Sequence, residues 1–173
     1  MKTPAGNSKI NEVDPLEIKR FNLYKPVLEM ETPFVTSLRE VGSLKTILVE
    51  VETKDGTTGW GEAPISPPVT GETPGSVVGA MDMILPNLIG ANPGDREKIH
   101  AIMDRLIEGN TAAKASVDIA LHDLLGRLWG VPVWKILGGS RSRELSTDYT
   151  VVLGIRMKWL KKLLTWFPKA LTF

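Results

Sequence analysis

The hydrophobic pattern of the chain changes period partway along. Residues 46–53, TILVEVET, alternate apolar and polar side chains and are rich in β-branched residues, as a strand with one buried face should be. Residues 16–24 are also strand-like. Lys54-Asp55-Gly56-Thr57 follows as a hairpin turn, Asp-Gly being suited to the positive φ angles of a type I′ turn, and residues 58–62 return as the third strand. Beyond a Pro-rich loop over residues 63–72 the period lengthens. Val77, Val78, Met81, Ile84, Leu85 and Leu88 fall at helical spacing behind Thr73-Pro74, an N-cap with proline at the first helical position. Asn92-Pro93-Gly94-Asp95 stops that helix and caps a second through about residue 107. Asn110 or Thr111 caps a third, which runs to about residue 128 before Gly130 and Pro132 end it. Three strands followed by three helices predict an α+β unit. Residues 145–153 are again strand-like, and residues 1–14, polar and containing Pro and Gly, read as a loose arm.

Composition narrows the function classes. At 173 residues and 42% hydrophobic the chain can bury one core, and a net charge of +1 gives no reason to expect nucleic acid as a partner. The absence of cysteine removes disulfides and thiolate zinc sites. The N-terminus has no apolar segment of a secretory signal, and no apolar run is long enough to span a bilayer, so a cytoplasmic location is expected.

Residues 113–139, AKASVDIALHDLLGRLWGVPVWKILGG, carry the most specific pattern. Small residues (Ala113, Ala115, Ser116, Ala120) allow close helix packing, and Asp118, Asp123, Gly126-Arg127, Pro132-Val133 and Leu137-Gly138-Gly139 follow at fixed offsets. This run resembles the signature of the mandelate racemase and muconate lactonizing branch of the enolase superfamily, in which an α+β capping domain covers a (β/α)8 barrel. Gly59-Trp60-Gly61-Glu62-Ala63 adds the family's strand-to-loop element, and the resemblance covers residues 16–154. It implies a capping domain over residues 15–139, with a three-stranded antiparallel sheet and a helical bundle, then a linker and only the first barrel strand over 140–154. Within the signature, Asp118 and Asp123 read as solvated or interface charges rather than as a general acid or base, and His122 as structural. Glu62 is either a site carboxylate or a strand-end charge that orients the following loop.

Substrate choice in this superfamily is implied to rest on two capping-domain loops. Here they are Pro33-Phe34-Val35-Thr36-Ser37-Leu38-Arg39 and Ile65-Ser66-Pro67-Pro68-Val69-Thr70-Gly71-Glu72, and both resemble the loops of dipeptide epimerases, the L-Ala-D/L-Glu type especially. Arg39 matches the loop arginine that resemblance assigns to the acidic side chain of the substrate; a planar guanidinium suits a carboxylate. Thr150 matches a first-strand threonine that contacts substrate. The implied partner is a small acidic dipeptide, and the intact family is implied to be homo-oligomeric.

The implied chemistry is abstraction of the proton α to a carboxylate, with the enediolate stabilised on Mg²⁺, two lysines facing each other across the α-carbon, and three metal-binding carboxylates on later barrel strands. Nothing in this chain matches either lysine or any metal ligand, so the chain is expected to carry no catalytic or metal residue and to be inactive by itself. Other family readings are a muconate cycloisomerase or an o-succinylbenzoate synthase fragment. A non-catalytic binding module is the remaining alternative.

That last reading draws on residues 155–173, IRMKWLKKLLTWFPKALTF, which hold five basic residues and no acidic one. Leu160, Leu163, Leu164, Phe167 and Leu171 form a stripe suited to an anionic membrane surface, interrupted by Pro168. The genetic code offers another explanation. Permitted codons for this stretch, read one nucleotide earlier, encode an acidic helix of the kind that resemblance expects after the first barrel strand. The segment is therefore expected to be an aberrant, frameshifted tail, with no membrane partner.

Overall fold

The computed structural model describes residues 16–35, 39–140 and 146. The expected N-terminal arm, residues 36–38 of the first loop, Thr150 with all of the expected barrel strand except Ser146, and the basic tail lie outside the described residues. Those described divide between two compact units: residues up to Pro26 together with residues 45–140, and, separately, Val27–Leu44 with Ser146.

In the larger unit, strand β1 (Ile18–Tyr24) pairs antiparallel with the second half of β3 (Glu40–Thr53), and β4 (Thr58–Pro64) pairs antiparallel with β3 on its other side. The register sets Arg20 opposite Glu52, Asn22 opposite Glu50, and Glu50 opposite Trp60. Alternation then sorts the faces. Ile47, Val49 and Val51 are buried, together with Ile18 and Ala63 from the flanking strands. The opposite face carries polar ladders. Glu52 accepts from Lys19 at 2.9 Å and from Arg20 Nε at 2.6 Å, and Glu50 accepts from Asn22 at 2.9 Å and from the Tyr24 hydroxyl at 2.8 Å. Lys19 and Arg20 hold the Glu52 carboxyl below the ordinary carboxylate range, whereas the bond to Glu50 raises the Tyr24 phenol.

The helices cover the apolar face. Helix α1 (Pro67–Thr70) is a single turn; α2 (Pro74–Ile84) continues as a 3-10 turn at Leu85–Leu88; α3 (Arg96–Leu106), α4 (Thr111–Trp129) and the one-turn α5 (Val133–Ile136) follow. Thr73 caps α2 as the sequence predicts, in a capping box with Ser76. Val77, Met81 and Ile84 of α2, Ile99 and Met103 of α3, and Val117, Leu121 and Leu124 of α4 join the buried strand residues in one core. The fold is α+β, with the helices packed on the apolar face of the sheet.

Three local expectations are corrected. The sheet has four strands among the described residues rather than three: in the smaller unit β2 (Val27–Val35) precedes the first part of β3, and the sheet order is β1-β3-β2. Its Val27 and Leu28 are about half exposed, so β2 is held by backbone pairing and lacks the buried face that produces a clean alternation. The hairpin turn is not type I′. Gly56 N–H donates to the Thr53 carbonyl at 3.0 Å, Gly56 alone in the turn has positive φ (87°), and Thr53 N–H donates to Thr57 O at 3.0 Å, which is a three-residue loop. Asp55 selects it by accepting from Thr53 Oγ1 at 2.5 Å and from Thr57 N–H at 3.0 Å. At the start of α4, Asn110 occupies the cap position in the left-handed region (φ 48°), and its side chain donates to the Glu108 carbonyl instead of capping the helix.

Candidate functional site

The two loops singled out in the sequence lie in different units. Pro33, Phe34 and Val35 end β2, and Arg39 stands exposed immediately before β3 begins at Glu40. An exposed guanidinium beside a strand start can take a carboxylate through two parallel N–H groups.

The second loop leaves β4 at Ile65, which packs on the core, and turns through α1. Val69 and Thr70 N–H both donate to the Ser66 carbonyl at 2.9 Å, and Gly71 N–H donates to Pro67 O at 2.9 Å. Val69 at the tip is 73% exposed, and no residue of α1 is buried. The loop ends at Glu72, a buried carboxylate that accepts the Ala112 N–H of α4 with both oxygens, at 3.2 and 3.3 Å. Glu72 belongs to the predicted loop, but composition and periodicity gave no sign of this partner.

The carboxylates and the one histidine of the signature helix have structural partners. Asp123 accepts the Trp60 backbone N–H at 3.0 Å and Arg127 Nε at 3.0 Å. Asp118 pairs with His100 at 2.7 Å. His122 bridges α3 and α4: its Nε2 faces Arg96 at 2.5 Å and its Nδ1 faces the Asp118 carbonyl at 2.9 Å. A guanidinium can only donate and a carbonyl can only accept, so Nε2 is the acceptor and Nδ1 carries the hydrogen. An apolar groove of ≈ 530 Å³ runs past Trp60, Ile119, Val133 and Leu137, and the polar groups at its edge are these same engaged side chains. Glu62 accepts from Thr46 Oγ1 at 2.7 Å across the β3–β4 pair, the arrangement of a strand-end carboxylate that orients the chain leaving β4.

Among the described residues no group of three or more His, Asp or Glu side chains converges to hold a metal ion. A hard cation such as Mg²⁺ needs several converging oxygens, whereas the described carboxylates of α4 and β4 are engaged in separate hydrogen bonds. None of the described helices is long and apolar enough to cross a membrane.

Comparison with known proteins gives the arrangement its relatives. Residues 20–138 match the N-terminal domain of the mandelate racemase / muconate lactonizing enzyme family. The chain is 41% identical over 123 residues to an L-Ala-D/L-Glu epimerase of Clostridium acetobutylicum, a match covering 70% of this chain and 34% of that protein. Among solved structures, the N-succinyl Arg/Lys racemase from Bacillus cereus superposes with a TM-score of 0.81 at 32% identity, covering 88% of this chain and 42% of that one. The dipeptide epimerase from Enterococcus faecalis complexed with Mg and the dipeptide L-Leu-L-Tyr superposes with a TM-score of 0.68 at 33% identity, covering 71% and 35%. The chain thus spans about a third of the length of the curated epimerase it matches.

Proposed function

The chain belongs to the mandelate racemase / muconate lactonizing enzyme family by its N-terminal domain, and from that premise we propose that it is the N-terminal portion of a Mg²⁺-dependent dipeptide epimerase acting on L-Ala-L-Glu-like substrates. The observation that carries this reading is the 41% identity to an L-Ala-D/L-Glu epimerase. In it the chain contributes substrate choice rather than proton transfer. Arg39 holds the acidic side chain of the dipeptide, residues 65–72 form a second substrate-selecting loop, and Thr150 is a further substrate contact. In this reading the 173-residue chain alone is inactive, because no residue of its sequence matches the two lysines or the metal-binding carboxylates that the resemblance implies. Residues 155–173 are a frameshifted tail in the same reading, and the nucleotides that follow the Gly154 codon test that point.

The similarity to the N-succinyl Arg/Lys racemase supports a second reading, in which the substrate is an N-succinyl amino acid. One experiment separates them. The chain is assayed alone and after joining at Gly139 to the part of the C. acetobutylicum epimerase that follows its matching region. Deuterium incorporation at the α-carbon is followed for L-Ala-L-Glu and N-succinyl-L-arginine. The joined protein is expected to exchange the dipeptide and the chain alone neither substrate. Exchange by the chain alone would overturn its assigned inactivity, and preference for N-succinyl-L-arginine would overturn the dipeptide assignment.

A further inference from the structure

We propose that Glu72 is a positioning residue: it fixes the second specificity loop by capping the N-terminus of α4 from a distant point in the sequence. The inference rests on the reading of residues 65–72 as a substrate-selecting loop. An α-helix begins with backbone N–H groups that have no partner within the helix, and a local Ser, Thr, Asp or Asn side chain ordinarily takes one. Helix α4, 19 residues long, has no such local cap, because Asn110 is left-handed and its side chain is turned to Glu108. Glu72 takes that role through Ala112 N–H, and its negative charge lies where the helix dipole favours an anion.

The consequence falls on the loop. Residues 67–71 are exposed, no side chain of α1 is buried, and the hydrogen bonds of the turn are internal to it. Ile65 ties the loop to the core at one end and Glu72 at the other, where Glu72 N–H also donates to Thr70 Oγ1 at 3.3 Å. Glu72 is only 9% exposed while Val69, three residues earlier, is 73% exposed. Glu72 therefore sets the end point from which the tip is suspended, and the position of the tip determines which second side chain the pocket admits.

The test has two arms. In the 173-residue chain, hydrogen exchange is measured at Ala112 and at residues 69–71 for the wild type, Glu72→Gln, Glu72→Asp and Glu72→Ala. Glu72→Ala is expected to speed exchange at these amides about tenfold while amides of the buried strands stay protected. Glu72→Gln, which keeps an acceptor oxygen, should restore most of the protection. Glu72→Asp, one methylene shorter, should not, and it carries the comparison if the alanine variant fails to fold. In the joined protein, the ratio of kcat/KM for L-Ala-L-Glu to that for L-Ala-L-Leu is expected to fall several-fold in Glu72→Ala, mainly through KM, and to recover in Glu72→Gln. Unchanged loop exchange in Glu72→Ala, or equal losses for both dipeptides, would overturn the proposal. A wild-type joined protein without dipeptide activity would sink the functional reading instead, and the exchange arm would then decide the anchoring by itself.

Discussion

The carboxylate of Asp123 on α4 accepts the backbone N–H of Trp60 on β4, 63 residues away in sequence, at 3.0 Å. Strand β4 pairs with β3 along one side, and an unpaired strand edge leaves N–H groups in need of acceptors. Asp123 supplies one and is steadied by Arg127 one helical turn on. This hydrogen bond therefore ties the strand element to the helical signature. Asp123→Ala is expected to lower stability by about 1–2 kcal/mol and Asp123→Asn by less, since the amide oxygen still accepts. Urea unfolding of the chain measures both, and equal losses would show that charge rather than the bond to Trp60 matters.

Beside that bond the strand and helix backbones nearly touch. A Cβ added at Gly61 would overlap the Ser116 carbonyl and come within 2.8 Å of Ala120 N, and one at Gly59 would come within 2.5 Å of Leu124 N. These are backbone atoms of a packed helix and cannot swing aside. Gly61→Ala should therefore cost about 1–3 kcal/mol or more through overpacking. Gly79→Ala is the control. It lies within α2 with nothing in 4 Å of its added methyl, so it should stabilise the chain by about 0.5–1 kcal/mol. Thermal unfolding midpoints moving in opposite directions would confirm both; a neutral Gly61→Ala would mean that β4 can retreat from α4.

This close approach explains why the signature was readable and other features were not. Ser116 and Ala120 are small because a strand backbone lies against them, a constraint that marks the sequence at fixed spacing. The cap at Thr73 and the alternation over residues 46–53 were legible because their causes are local: a side chain three residues from its amide, and a pleat with one buried face. β2 was not, because its exposed Val27 and Leu28 and its internal Pro33 send no consistent signal. Nor was Glu72, whose partner at Ala112 is brought near only by the fold. Asp55-Gly56 announced a turn, but the turn type was decided by the Asp55 hydrogen bonds to Thr53 and Thr57.

Acid should loosen this fold through identifiable carboxylates. Lys19 and Arg20 lower the pKa of Glu52, Thr53 and the Thr57 N–H lower that of Asp55, and Lys114 lowers that of Asp104. A carboxylate whose folded pKa lies below its unfolded value binds protons more readily once unfolded. Its contribution is therefore complete above the unfolded pKa and is lost as pH falls through the folded one. Stability should be flat down to about pH 5 and decline below about pH 4, the range of unperturbed Asp and Glu. Glu52→Gln should lower stability at neutral pH and flatten the acid decline. Unfolding midpoints measured between these pH values for wild type and variant check the sign, and an undiminished decline in Glu52→Gln would assign the acid sensitivity to other groups.

Arg39 offers the most direct test of the substrate assignment. It is exposed in the loop between β2 and β3, and in the proposed enzyme its guanidinium takes the acidic side chain of the dipeptide. Removing it in the protein joined to the C. acetobutylicum sequence should lose a charge-assisted contact worth roughly 1.5–3 kcal/mol without disturbing proton transfer at the α-carbon. Catalytic efficiency toward L-Ala-L-Glu should then fall about tenfold to a hundredfold. Most of the loss should fall on KM, because the contact is the same in the ground and transition states. L-Ala-L-Leu has no acidic group for Arg39 to hold, so Arg39→Ala should leave its turnover nearly unchanged. Equal losses for the two dipeptides would mean that Arg39 shapes the loop rather than reads the carboxylate, and the preference for an acidic second residue would then have to come from elsewhere in the pocket.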